Sequence, residues 1–569
     1  MIKKSIATIA IAATAGFAFG QTLVSTDVTS DTTWSGEVVL TKPIFVKSGA
    51  TLTIDPGTIV RGQPRTGPVV SGSQVGTPGA LIVSQTGQIK ADGTSSNPII
   101  FTTAAVDNNG DNIPDDGDSD GFLDAWPGFV NGNSANGAET QANAAFYDND
   151  PVNSPLAPLN AAGKANVSLW GGVVILGNAP TNLGNVAGLG LGKATVEGLT
   201  IPGFPVADCT YGGLVAHDNS GSLTYVSIRH AGDEIGEANE LNGLTLAGVG
   251  DGTTVENIEI YCNFDDGIEW FGGTVNGKNL AVFFAGDDQF DQDQGYTGVN
   301  QYLFTIMNFF NENDGGSFGS ASGDKATEFD GEDLAESGNN ATVRVDFSST
   351  TSDDTPWPFC HAYNFNLTVL GSSPIGNIGK TEEFTPASVA SANSALRVRN
   401  GHGGAIWNAL VVNTGTGKGV DVVNDSSATW TYDQATIVAN GLFEIVQSTF
   451  GDCAAPSTTE STGALANGDL TNPGGLNKLS SAIELLQEDT TFNPVGDANN
   501  KLSASLKATN GPINPRPPTG LGGLDAGGVT TKFPAGVEKV TFRGAFSSTA
   551  TTLWTTGWTA LNKGGILAN

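Results

Sequence analysis

The chain has 569 residues, and its 58 acidic residues against 25 basic ones give a formal net charge of −33. Nucleic acid is a poor partner for such a chain because phosphate contacts need clustered Lys and Arg, whereas divalent cations bind carboxylate oxygens readily. Hydrophobic residues make up 38% of the chain and fall in short runs between turn residues, which excludes a disordered protein.

The first predicted element is a signal peptide over residues 1–20. Two lysines precede an apolar run from Ile6 to Phe19, and the small residues Ala18 and Gly20 lie just before Gln21. This pattern is typical of a secretory signal that is cleaved before Gln21, and the run is short for a membrane anchor. We therefore expect a secreted or cell-surface protein with no transmembrane segment after cleavage.

Residues 21–104 form the next predicted unit, an N-terminal set of β-rich coils and a cap. Short β-rich pieces such as LIV, GQI and PIIFTT are broken by Gly and Pro. Helical periodicity is absent. Strands this short and this regularly spaced predict a sandwich, a barrel or a β-solenoid.

Residues 105–165 are predicted to be an acidic, calcium-binding insertion. Within them DNNGDNIPDDGDSDGFLD (107–124) places oxygen ligands at alternate positions in two overlapping registers, as in loops that wrap a calcium ion. The predicted ligands are Asp107, Asn109, Asp111, Asp115, Asp116, Asp118, Asp120 and Asp124. A merely solvated acidic loop is the alternative.

The same stretch resembles the calcium-binding repeats of thrombospondin type 3 and related bacterial surface linkers. Its departures are Asn109 and Asn112, where those repeats have Asp and Gly, and the lack of a Glu at the end of the second register. The resemblance implies calcium binding, and the departures imply a lowered affinity that would suit extracellular calcium.

Residues 166–453 are predicted to be the main parallel β-helix. Asn257 aligns with Asn279, and Asp265-Asp266 aligns with Asp287-Asp288, each at an offset of 22 residues. A period in the low twenties fits one coil of a right-handed parallel β-helix. Further strands are predicted at 365–373, 406–417 and 428–441, with loop insertions at 313–357 and 374–394.

Residues 454–569 are predicted to hold one short helix and a β cap. Apolar residues recur with helical spacing in LNKLSSAIELLQED (476–489). The segment 539–562 returns to β character and is expected to cap the solenoid. The four cysteines, Cys209, Cys262, Cys360 and Cys453, permit two disulfides in three pairings.

Several segments together resemble a family of large secreted bacterial β-helix proteins near the pectate-lyase-like superfold. They include SLWGGVVILGNAPTN (168–182), GSLTYVSIRHAG (221–232) and GDDQFDQDQGYTG (286–298). The family is mostly of uncharacterised function. The resemblance implies an all-β fold, a right-handed parallel β-helix with loop insertions and one short helix in its C-terminal half.

Carbohydrate chemistry has to be weighed because the β-helix superfold hosts pectin lyases and polygalacturonases. Paired carboxylates one coil apart could serve as acid and base in hydrolysis, and an Arg-His pair at a strand end could serve a lyase. The candidate residues are Asp265, Asp266, Asp287 and Asp288 for the first chemistry, and Arg229 and His230 for the second. The four Asp can instead cap turns or bind further calcium.

The sequence therefore predicts an exported β-helix protein, stabilised by Ca²⁺, with a structural, adhesive or glycan-binding role. The expected partners are polysaccharide or other cell-surface components, together with end-to-end self-assembly. The alternative is a carbohydrate-active enzyme, a polysaccharide lyase or glycoside hydrolase, that acts on acidic polysaccharide.

Overall fold

The structure is a computed structural model of the whole chain, and most of the chain between residues 21 and 569 can be described. The described residues are 21–65, 67, 76–116, 122–124, 146–158, 160–162, 164–183, 188–190, 192–196, 199, 204–233, 235, 240–307, 325–331, 360–371, 394–412, 418–423, 434–451, 478–480, 513–517 and 536–569. Among them, no helix has the length and apolar character that a membrane crossing requires.

The described residues fold almost entirely as short strands. In chain order the strands are β1 Thr22–Val24, β2 Thr32–Trp34, β3 Glu37–Leu40, β4 Pro43–Val46, β5 Thr51–Ile54, β6 Ile59–Gly62, β7 Ala80–Val83, β8 Gln88–Asp92, β9 Ile99–Thr103, β10 Val173–Leu176, β11 Ala194–Thr195, β12 Thr210–Tyr211, β13 Gly221–Arg229, β14 Leu244–Ala247, β15 Thr254–Asn263, β16 Ile268–Phe271, β17 Asn276–Ala285, β18 Asp288–Asp293, β19 Val299–Ile306, β20 Lys325–Asp330, β21 His361–Leu370, β22 Ser394–Arg399, β23 Gly403–Trp407, β24 Leu410–Val412, β25 Lys418–Val422, β26 Phe443–Val446, β27 Thr449–Gly451 and β28 Lys478–Ser480. The helices are α1 Val206–Cys209, α2 Gln434–Ala439 and α3 Ala560–Lys563.

Two parallel sheets enclose the core. Sheet B has nine described strands in the order β4, β7, β10, β14, β16, β18, β20, β22 and β25. Sheet A has 17 described strands and bends into two limbs, because long strands such as β13 pair with β8 through their first half and with β9 through their second. From β13 to β22 successive strands alternate between the sheets, whereas β5–β6, β8–β9, β23–β24 and β26–β27 are consecutive strands of sheet A, one in each limb. Each coil stacks on the one before. The all-β parallel β-helix expected from the sequence is confirmed.

The bend in sheet A is made by a column of residues with left-handed backbone. Tyr225, Asn257, Asn279 and Tyr302 occupy equivalent positions in four successive coils and have φ of 48°, 56°, 56° and 63°. Asn adopts this conformation more easily than most residues. The Asn279 side-chain amide also donates to Asn257 Oδ1 over 3.1 Å. The 22-residue alignment therefore corresponds to true neighbours.

This column supplies a stability prediction. Replacing Asn279 with Val should lower the free energy of unfolding by about 1–3 kcal/mol, because a β-branched residue resists a positive φ. Asn279→Gly should cost less, since Gly adopts that backbone without a steric penalty. Urea titrations of both variants would measure the difference, and equal losses would contradict a role for the backbone conformation.

The interior is a continuous apolar column in which Val, Ile, Leu and Phe from both sheets are buried. Cys209, Cys262 and Cys360 are buried and free, so none of these three forms a disulfide. Cys453, the remaining thiol, lies outside the described residues. The two disulfides that the sequence permitted are therefore not formed.

Before the C-terminal segment, three local predictions were wrong. Residues Gln434–Ala439, predicted to be part of a strand, form α2. Lys478–Ser480, predicted to begin a helix, pair with β27 as a strand, and the rest of that predicted helix lies outside the described residues. Residues Lys325–Asp330, predicted to belong to a loop insertion, form β20 in sheet B.

The C-terminal residues 536–569, which we name the strap, lie along the outer face of sheet A. The described strap contains no strand and has one helix, α3, near its end, so the predicted β character is wrong. Phe546 packs edge-to-face on Phe304 with ring centroids 5.0 Å apart, and the backbone N–H of Ala560 donates to the buried carboxylate of Glu259 over 2.7 Å. The strap thus covers the side of the solenoid.

Candidate functional site

Sheet B carries its charged side chains in columns along its outer face. In β16, Ile268 and Trp270 point into the core, which leaves Glu269 and Phe271 outside. Register then stacks Glu269, Asp291, Glu328, Arg397 and Asp421 in five successive strands. Neighbouring members lie about 4.8 Å apart, so charge is repeated with the pitch of the coil.

Nine acidic side chains gather on and beside this face, and we name them the carboxylate strip. They are Asp265, Asp266, Glu269, Asp287, Asp288, Asp291, Asp293, Glu328 and Asp330. Carboxylate oxygens of Asp265, Asp266 and Asp287 all lie within 4.8 Å of one another, and so do those of Asp266, Glu269 and Asp291. Asp266 belongs to both groups. The four aspartates singled out in the sequence are thus brought together.

Tight turns before β16 and β18 hold these aspartates in place. The backbone N–H of Asp288 donates to Asp266 Oδ1 over 2.8 Å, which links one turn to the next. Glycines flank the pairs because nothing larger fits. A Cβ on Gly267 would overlap Val282, and one on Gly286 would overlap the Phe264 carbonyl oxygen.

Crowding and burial oppose the ionised form of these carboxyls. The pKa of Asp266 is raised well above its ordinary value by burial and by the charges of Asp265 and Asp287. Burial and the neighbours Asp266 and Glu269 likewise raise the pKa of Asp291. A divalent cation between such groups would remove the repulsion that raises these pKa values.

Basic side chains meet the strip at its later coils. Arg399 Nε lies 2.8 Å from Asp330 Oδ1 and 3.0 Å from Glu328 Oε1, and Arg397 Nε lies 3.4 Å from the same Glu328 oxygen. Both arginines keep about a quarter or more of their side chains exposed. Burial alone would raise the pKa of Glu328. Hydrogen bonding to Asp288 and the charges of Lys325 and Arg399 outweigh burial and lower this pKa to about 2.

Sequence reasoning missed Lys325, Glu328 and Asp330 as members of this site. They lie in β20, inside a stretch whose Gly, Ser and Asp content indicated a loop. The available signal was the alternation of uncharged and acidic residues in TEFD, since Phe329 lies in the core and Thr327 is the register partner of the core residue Phe290.

Arg229 and His230 lie elsewhere, at the end of β13 in sheet A. Arg229 is 1% exposed, donates to Ser227 Oγ and to the Pro151 carbonyl oxygen, and lies 3.8 Å from Glu259. His230 is buried with Nδ1 2.6 Å from the Asn166 carbonyl oxygen, and burial lowers its pKa to about 4. The contacts of this pair are those of a buried supporting network, and neither residue belongs to the two groups of three carboxylates.

The predicted calcium loop is described from Asp107 to Asp116 and again at Asp124, whereas Asp118 and Asp120 lie outside the described residues. Asp107 accepts backbone N–H groups from Gly110 (2.7 Å) and Asn112 (3.0 Å), and Asp111 accepts from Ile113 (2.9 Å). Asn112 has φ of 61°, so the chain turns sharply there.

The raised pKa values predict how stability depends on pH. Burial raises the pKa of Asp330 to about 6, so the folded chain keeps protons that the unfolded chain loses near pH 4. In chelator, the unfolding temperature should therefore fall as pH rises from about 4 through 6. Calcium bound by Asp266 and Asp291, whose pKa values are also raised, should flatten this dependence by taking the place of their protons. Thermal melts at constant ionic strength would test this, and a temperature that rises over that window would contradict it.

A family model described as a pectate-lyase like beta helix domain matches residues 25–113 and 152–482, well over half of the chain. Neither the curated proteins nor the solved structures include a match. The matched ranges contain the carboxylate strip and both arginines, whereas the strap lies beyond them.

Proposed function

The chain belongs to the pectate-lyase-like β-helix family, and on that premise we propose that it binds acidic polysaccharide through calcium ions on the outer face of sheet B. The observation that carries the proposal is the sharing of Asp266 between two groups of three carboxylates. Such a shared ligand would hold two cations side by side along the coil direction.

Calcium suits these groups because it takes six to eight oxygen ligands in flexible geometry. Three carboxylates in each group supply only part of that number. The remaining positions would be filled by water or by carboxylates of a bound glycan. A cation held in this way neutralises the strip and also bridges protein to an anionic ligand.

Arg397 and Arg399 extend the proposed glycan site beyond the carboxylates. Arg397 stands three strands beyond Glu269 in the same column, about 14 Å away at the strand spacing of a sheet. Guanidinium groups bind carboxylates with two parallel hydrogen bonds. A chain of uronate residues laid along the coil axis could therefore contact calcium at one end and Arg397 and Arg399 at the other.

A second calcium site is proposed in the loop Asp107–Asp124. Its support is the sequence of alternating oxygen ligands and the inward-turned backbone around Asp107 and Asp111. This ion would stabilise the insertion and would not contact the glycan. Export is also part of the proposal. It is supported by the sequence pattern over residues 1–20, which lie outside the described residues. Sequencing the N-terminus of the exported protein would test cleavage before Gln21.

A polysaccharide lyase is the second candidate. The favouring observation is that two arginines stand beside carboxylates that could hold calcium, because a lyase needs calcium to neutralise a uronate carboxylate and a basic group to remove its α-proton. Lyase activity would appear as ultraviolet absorbance of unsaturated uronate on incubation with polygalacturonate and calcium. Binding without that absorbance would leave the binding function alone.

The binding proposal is tested by titrating the protein with polygalacturonate and with a neutral glucan, in calcium and in chelator. Binding is expected only to the acidic polymer and only with calcium. Arg397→Gln with Arg399→Gln should weaken it by about tenfold or more for each arginine, because hydrogen bonds between charged groups contribute about 1.5–3 kcal/mol. Lys90→Gln, an exposed charge on sheet A, is the matched control. Equal binding to both polymers would refute the proposal.

A further inference from the structure

A buried lysine beside the carboxylate strip has no role in glycan binding, because only 5% of its surface is exposed. Lys325 Nζ lies 3.4 Å from Asp288 Oδ2 and 2.9 Å from Glu328 Oε2. Asp288 is 1% exposed and Glu328 is 8% exposed. The amine of Lys325 thus lies in contact with two carboxyl groups, those of Asp288 and Glu328, inside the protein.

Strand register holds the amine and the carboxyl against each other. Asp288 opens β18 and Lys325 opens β20, and the two residues are direct partners across the parallel pair. Phe290 and Phe329 follow on the same strands and are fully buried. The register therefore keeps Nζ of Lys325 beside the Asp288 carboxyl group and within hydrogen-bond distance of Glu328, so the reacting groups are already positioned for attack.

We propose that Lys325 and Asp288 become joined by an intramolecular isopeptide bond. The neutral Nζ of Lys325 attacks Cγ of the protonated Asp288 carboxyl and forms a tetrahedral intermediate. With Lys325 neutral, one of the charges that lower the pKa of Glu328 is absent, and Glu328 accepts the proton that Nζ gives up and returns it to the departing hydroxyl group. One C–N bond forms, one C–O bond breaks, and one water molecule leaves, so the reaction needs no oxidant, reductant or further reactant. Glu328 is the catalytic residue of this step.

The bond would close a covalent ring from residue 288 to residue 325. It would tie two neighbouring strands of sheet B together across the insertion between β19 and β20. The three described cysteines form no disulfide, so the isopeptide bond would supply a covalent cross-link that these thiols do not. Constraining the unfolded chain in this way stabilises the folded one.

Peptide mapping of the denatured, purified full chain by tandem mass spectrometry tests the proposal. The peptides containing Asp288 and Lys325 should be recovered as one branched species, lighter than their sum by one water molecule. Mapping is preferred to the intact mass, because an N-terminal Gln21 that cyclises would also lower the total mass. Recovery of two separate peptides with an unmodified Lys325 would overturn the proposal, whatever the variants do.

Variants assign the roles. Lys325→Arg keeps the charge but should give only separate peptides, and Glu328→Gln should slow or abolish joining. Asp288→Asn should still join, now with the loss of ammonia in place of water, which a simple ion pair would not produce. Lys418→Arg is the matched control, because Lys418 Nζ lies 2.7 Å from Asp421 Oδ1 but is 38% exposed, and joining of Asp288 to Lys325 should be unchanged in it.

Discussion

Calcium titration of the Asp266→Asn variant is expected to show two cation sites weakened together, each by about 100-fold or more. Asp266 contributes an oxygen to both carboxylate groups of sheet B. Its replacement removes one of three negative ligands from each, and loss of a direct ligand should exceed the 10–100-fold cost of changing a group that only supports one. Isothermal titration calorimetry would report the number of sites and their affinities.

Three single variants give this experiment its controls. Asp265→Asn should weaken one site and Asp291→Asn the other, because each residue belongs to one group alone. Asp107→Asn should leave both unchanged and affect only the proposed ion of the insertion. A calcium titration of Asp266→Asn that matches the original protein would show that the strip is not a cation site. The amide can still accept the Asp288 N–H, so the turn is preserved.

Replacing Trp558 with Ala is expected to cost about 3–5 kcal/mol of unfolding free energy, the range for a buried aromatic residue cut back to a methyl group. Trp558 belongs to the strap and is fully buried against sheet A, where it meets the ring of Tyr225 edge-to-face at 5.5 Å. Its Nε1 donates to the Trp554 carbonyl oxygen over 2.7 Å. Its loss would leave a cavity between strap and sheet A. Urea unfolding in the presence of calcium would measure the change.

Trp554→Ala is the matched control for that variant. Trp554 belongs to the same strap and stacks on Phe546 at 5.5 Å, but its side chain is only partly buried. A clearly smaller loss is expected because less apolar surface returns to water. Equal losses of unfolding free energy in the two variants would mean that the deeper burial of Trp558 adds nothing to stability.

The fold could be predicted because two coils of the same length adjoin each other. The 22-residue offset between Asn257 and Asn279 is a register that the structure retains, and stacking of Asp265 and Asp266 on the next Asp pair follows from it. Elsewhere insertions hide the register. The step from Asp291 to its partner Glu328, and from there to Arg397, spans chain segments of unequal length. No fixed period could therefore have placed the basic end of the site.

The errors near the C-terminus have a related cause. Short apolar runs do not distinguish a strand from a helix. Lys478–Ser480 form β28 because they pair with β27 of the neighbouring coil, whereas Gln434–Ala439 form α2. The strap has Trp, Phe and Thr, residues common in strands. Its backbone N–H groups instead donate hydrogen bonds to side chains, as the N–H of Ala545 does to Thr368 Oγ1 over 2.8 Å.

The position of the strap also bears on how the molecule is assembled over time. Coils can stack as soon as they leave the ribosome or a translocation channel, since each needs only its predecessor. The outer surface formed by Phe283, Phe304 and Leu410 cannot be sealed then, because its cover, which includes Phe546 and Leu561, is synthesised much later. A nascent chain would thus expose an apolar surface along sheet A until the strap is synthesised. A chaperone that binds exposed apolar surface would be needed during that interval.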